Sequence, residues 1–138
     1  MSISVYDVNT FLKNDITLQG IAGKTMNFFP VVGYGTEPAP FVVYYFTPNI
    51  PSVESFWNRV DNVRYSIYDS DVDRLFKITE RFITLLGRGD TVGETGGIES
   101  NNYYFKASTF VGSTLLEPIE KEGWYQMDLD FRIYSIAH

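Results

Sequence analysis

The sequence predicts an α+β fold: a mostly antiparallel or mixed sheet of four to five strands, with a short N-terminal helix and one long helix packed on one face. Three observations predict it. Residues 71–87 carry apolar side chains at helical spacing, residues 125–133 alternate apolar and polar with the period of a strand, and residues 41–47 form an unbroken β-branched and aromatic run.

Taken in order, Ser4 precedes Val5, Val8, Phe11 and Leu12, whose spacing predicts the short helix. "LQGIAGKT" then breaks the pattern with Gly20 and Gly23. "MNFFPVVGYG" reads as a strand interrupted by Pro30, which suits a sheet edge or a bulge. "EPAP" is a turn, and "FVVYYFT", Phe41 to Thr47, is a mid-sheet strand covered on both faces. Beyond "VESFWNR", which is ambiguous between a helical turn and irregular structure, Val63, Tyr65 and Ile67 alternate with Arg64, Ser66 and Tyr68 as a half-buried strand.

The long helix places Val72, Leu75, Phe76, Phe82, Ile83 and Leu86, with Thr79, on one face as the core contribution; Asp73, Arg74, Lys77, Glu80 and Arg81 form the other face. Ser70 or Asp71 can cap it, and Gly87 and Gly89 end it. "GRGDTVGETGGIESNN" follows, with five glycines and almost no apolar residue, so residues 88–101 read as a mobile loop that orders on meeting a partner. "YYFKASTFVG" is a strand that alternates loosely. In the last strand Tyr125, Met127, Leu129, Phe131 and Ile133 face in, while Gln126, Asp128, Asp130 and Arg132 face out. Residues 1–138 are read as one domain, without internal repeats.

Composition narrows the function. The chain has no cysteine, which removes disulfides, thiolate metal sites and cysteine nucleophiles. Its 11 Lys and Arg against 17 Asp and Glu give a net charge of -6, unsuited to gripping DNA phosphates. No apolar run is long enough for a signal peptide or a bilayer span, so a soluble protein without membrane association is expected. Ten Tyr, eleven Phe and two Trp make 17% of the chain aromatic, which suits either a β-rich core or a surface with protein partners.

One motif invites a chemical reading. "DSDVDRLFKITE" places Asp69, Asp71, Asp73 and Glu80 where a calcium-binding EF-hand loop would, except that Arg74 stands at the glycine position and Lys77 at a ligand position. If the helix forms, Asp73 and Glu80 lie roughly 10 Å apart along its axis at 1.5 Å per residue, too far to share an ion. The acidic residues are better explained as caps and dipole partners, with Asp73 and Lys77 as an i,i+4 pair. No metal and no cofactor are expected.

Other candidates are weaker. The only histidine, His138, is expected to fray and offers no triad or metal site. Glu117, Glu120 and Glu122 fall between Pro118 and Gly123 in a turn. "GRGDTVGETGG" follows a helix instead of opening one, and lacks the G-K-[ST] ending of a phosphate loop. Its Arg-Gly-Asp triplet reads as chance. No catalytic residue is assigned.

"PFVVYYFTP", followed by "NVRYSIYDSDVDRLFKITERFITLLG", resembles the tail terminator, or tail-completion, proteins of long-tailed bacteriophages in element order, size and texture over most of the chain. The resemblance implies a non-enzymatic structural virion protein of the tail or neck, assembled in the host cytoplasm. It implies a ring, usually hexameric, that sits on the last ring of the tail-tube protein, halts polymerisation and offers a surface to the head–tail connector, with genomic DNA passing through the lumen unbound. Arg64, Arg88, Asp90, Asp128, Asp130 and Arg132 are the candidate ring or lumen contacts, chosen on charge; the outward row of the last strand reads equally as a solvated face. The rival from another class is a monomeric binding domain whose 88–101 loop closes over an aromatic-lined pocket.

Overall fold

The computed structural model describes residues 4–30, 38–49, 58–86, 98–99, 103–116 and 123–137. Along the chain run α1 (Ser4–Lys13), α2 (Ile16–Ala22), β1 (Phe28–Pro30), β2 (Phe41–Asn49), β3 (Asn58–Asp69), α3 (Val72–Leu86), β4 (Ile98–Glu99), β5 (Tyr103–Leu116) and β6 (Tyr125–Ala137). The fold is α+β, as predicted. The strands form one sheet in the order β1-β2-β3-β6-β5-β4. β1 runs parallel to β2 and every other pair is antiparallel, so the sheet is mixed. Its six strands exceed the expected four to five. β1 falls within the strand expected from "MNFFPVVGYG"; the sixth strand is β4, which at two residues is too short for a periodicity signal.

α2 corrects the sequence reading. Gly20 and Gly23 were read there as breaks, yet the segment is helical because both of its ends are satisfied. Asp15 caps it by accepting a hydrogen bond from the Leu18 N–H at 2.8 Å, and Gly23, at φ 76°, donates its N–H to the Gln19 carbonyl. Only the second glycine is a terminator. The first is carried inside the helix, where Leu18 and Ala22 are buried.

The core lies between the helices and one face of the sheet. Val8 and Leu12 of α1, Leu18 and Ala22 of α2, and Leu75, Ile78, Phe82, Leu85 and Leu86 of α3 meet Val42 and Tyr44 of β2, Val63, Tyr65 and Ile67 of β3, and Met127, Leu129, Phe131 and Ile133 of β6. The inward row predicted for β6 is therefore the one that is buried, with Tyr125 at its margin. Phe41 to Tyr44 are all buried, which puts β2 under cover on both faces as expected. β3 departs from the half-buried expectation: Ser66 and Tyr68, on its other face, are buried too. Tyr68 stacks on Phe41 there, with Trp124 edge-on to both, so a small second cluster closes that end.

The predicted face of α3 is rotated in the structure. Leu75, Phe82 and Leu86 are buried, Val72 and Ile83 are half-buried, and Phe76 is 43% exposed. The buried arc centres on Leu75 and Phe82 and extends to Ile78 and Leu85. At about 100° per residue, Phe76 stands a full quarter-turn beyond Leu75 on the far side of that arc. Phe76 thus falls on the solvent side with Asp73, Lys77 and Glu80, all exposed. The expected Asp73–Lys77 ion pair does not form among the described residues.

Candidate functional site on the open face of the sheet

The acidic stretch at the start of α3 is structural. Asp71 accepts hydrogen bonds from the N–H groups of Asp73 and Arg74, capping the helix, while Asp69 accepts one from the Asp71 N–H. Asp69 is fully buried, and Arg74 donates to it through Nε and Nη2 at 2.6 and 2.5 Å. That bidentate pair raises the Arg74 pKa. Arg74, the residue standing at the glycine position of the calcium pattern, is therefore the one that occupies its first carboxylate. Among the described residues no three His, Cys, Asp or Glu side chains gather as a metal cage.

A second, partly buried ion pair ties the helices together. Arg81 of α3 donates through Nε and Nη2, both at 2.8 Å, to Asp15, the cap of α2; the two side chains are 12% and 13% exposed. The Arg81 hydrogen bond holds the Asp15 carboxyl below its ordinary value. Beneath it, the Tyr65 hydroxyl donates to Asn9 Oδ1 at 2.7 Å, and complete burial pushes the Tyr65 pKa up.

The face of the sheet away from the helices is different in kind. Its rows follow from the strand registers: Tyr45 opposite Arg64, Arg64 opposite Asp130, and Asp130 opposite Gly112; then Ser66 opposite Asp128, and Asn62 opposite Arg132. Arg64 donates to Asp130 through Nε at 2.8 Å and Nη2 at 3.3 Å, and this pair raises the Arg64 pKa. Both side chains remain open to solvent, at 51% and 39%. Asp128 is held from two sides, accepting from Ser66 Oγ at 2.6 Å and Gln126 Nε2 at 2.8 Å. Arg132 is exposed and has no hydrogen bond or ion pair among the described residues.

These side chains line a groove of about 420 Å³ bounded by Tyr45, Asn62, Arg64, Val111, Asp130 and Arg132. Val111 reaches it through a register irregularity in β5, between Phe110 opposite Phe131 and Gly112 opposite Asp130. Four of the six predicted contact residues, Arg64, Asp128, Asp130 and Arg132, thus share one face of adjacent central strands. Arg88 and Asp90 lie outside the described residues, as do 91–97 of the predicted loop; Ile98–Glu99 within it is β4, paired with Tyr104 and Phe105. Tyr45 and Val111 were missed by the sequence reading. Tyr45 belonged to a run without polar alternation, and Val111 depends on an irregularity that leaves no sequence signal. Val63 and Phe131 complete the lining, so apolar and aromatic side chains share the groove with its charged and amide groups.

In fold, the chain is similar to one in a solved structure described as "Virion of native gene transfer agent (GTA) particle", at a TM-score of 0.63 and 16% identity, over 95% of this chain and 92% of that one. No protein-family model matches the sequence, and no curated protein matches it.

Proposed function

We propose that the chain is a structural virion protein of the tail-terminator kind. In this reading it forms a hexameric ring in the neck or tail, assembled in the host cytoplasm. The ring caps the tail tube, stops its polymerisation and docks the head–tail connector, while genomic DNA passes through the lumen without specific binding. It is a scaffold and not an enzyme. The observation that carries the reading is the end-to-end likeness of its fold to a chain of a virion. The resemblance of its sequence to tail terminators adds the finer role. The open face supports it as well, since beyond the cluster of Phe41, Tyr68 and Trp124 it keeps Arg64, Asp130 and Arg132 at the surface, where a partner can meet them.

The test is mass in solution together with tube capping. Light scattering at rising concentration is expected to approach the mass of a hexamer of the 15.8 kDa chain, and electron microscopy of tail tubes with added protein is expected to show a closed ring at one end. A chain that stays monomeric at every concentration and leaves tubes uncapped overturns the proposal.

A further inference from the structure

On the open face Arg64 is paired with Asp130 and Asp128 accepts hydrogen bonds from Ser66 and Gln126, whereas Arg132 has no hydrogen bond or ion pair among the described residues. On the opposite side of the molecule, the outer face of α3 has the reverse arrangement. Phe76 and Glu80, one helical turn apart and both exposed, form an apolar side chain beside a carboxylate without an ion pair among the described residues. Val111, on the groove's wall, is 59% exposed.

We infer that the groove receives the outer face of α3 of a second copy of this chain, with Glu80 of the incoming helix on Arg132 and its Phe76 against Val111. Charge complementarity selects the occupant. The Arg132 guanidinium asks for a carboxylate, and a chain of net charge -6 supplies carboxylates on each copy. The two surfaces lie on opposite sides of one molecule, because the groove belongs to the sheet face that α3 does not cover. Contact between them is head-to-tail and leaves a groove free at one end and an α3 face free at the other. Such a contact propagates and closes into a ring when the rotation allows. The inference rests on the ring reading above and names the seam between its subunits.

The experiment uses charge reversal in the full chain. Arg132→Glu alone and Glu80→Arg alone are each expected to shift the mass from ring to subunit, and the double variant to restore the ring. All four contact positions are exposed, so the circular dichroism spectrum should be unchanged and serves as the folding control. Because the chain has no cysteine, Phe76→Cys combined with Val111→Cys is expected to give an oxidised ladder of linked subunits, reversed by reductant. A ring that survives both single reversals and gives no ladder overturns this seam and leaves the ring reading standing. A chain monomeric in every form, with or without tubes, overturns both.

Discussion

On the helix side of the sheet Tyr65, Phe82 and Phe131 meet ring against ring, all fully or almost fully out of water. One residue along the same strands, on the open side, Arg64 and Asp130 form an ion pair in contact with solvent. The backbone is shared, so the difference lies in side chains and their surroundings. Where a helical layer covers the sheet, each polar group is matched: Tyr65 with Asn9, Asp15 with Arg81, Asp69 with Arg74. On the open face Arg132 has no hydrogen bond or ion pair among the described residues. The covered face of the sheet thus carries the packed core, while the open face keeps charged side chains at the surface.

Four substitutions probe that division. Phe82→Ala, on the covered side, is expected to cost about 3–5 kcal/mol by chemical denaturation. Asp15→Asn weakens the bidentate contact to partly buried Arg81 and is expected to cost about 2–3 kcal/mol. The cost should depend on pH. The carboxyl's pKa is lower in the folded chain than its ordinary 3.8, so its stabilisation is present above 3.8 and fades as pH falls through the folded value. Denaturation midpoints of the wild type and Asp15→Asn should therefore converge in acid. Tyr65→Phe leaves Asn9 Oδ1 buried without its donor, at about 1–3 kcal/mol in the same assay. Arg64→Ala, on the open side, is expected to cost only about 0.5 kcal/mol, and less at high salt. A cost above 2 kcal/mol there would erase the contrast between the faces.

The parts of the fold that could be read from the sequence are those in which one local pattern decides the outcome. β6 alternates cleanly because one face is buried along its length. α3 was legible as a helix, but its orientation was not: Phe76 and Ile78 are equally apolar neighbours of Leu75, and the sheet decides which of them turns inward. α2 was hidden because Gly20 and Gly23 look alike on paper, while only Gly23 occupies a left-handed position. At the candidate site, the outward parity of Asp128, Asp130 and Arg132 was visible. The pairing of Arg64 with Asp130 was not, since it depends on the register of strands far apart in sequence. Buried Asp61 and Asp69 share the parity of Val63, Tyr65 and Ile67, a signal that could have identified them as inward carboxylates in need of partners.

The strand order also sets a timetable for synthesis. β6 lies at the middle of the sheet, between β3 and β5, yet it is made after both. A ribosome adding about 5–20 residues per second therefore holds β3 without its main neighbour for several seconds. During that interval the inner rows of β3 and β5 have no β6 to lie against, and the sheet cannot close until residue 137 has cleared the exit tunnel. Until β6 is made, Asp130 and Arg132 have no place on the sheet, and the groove that they line does not exist.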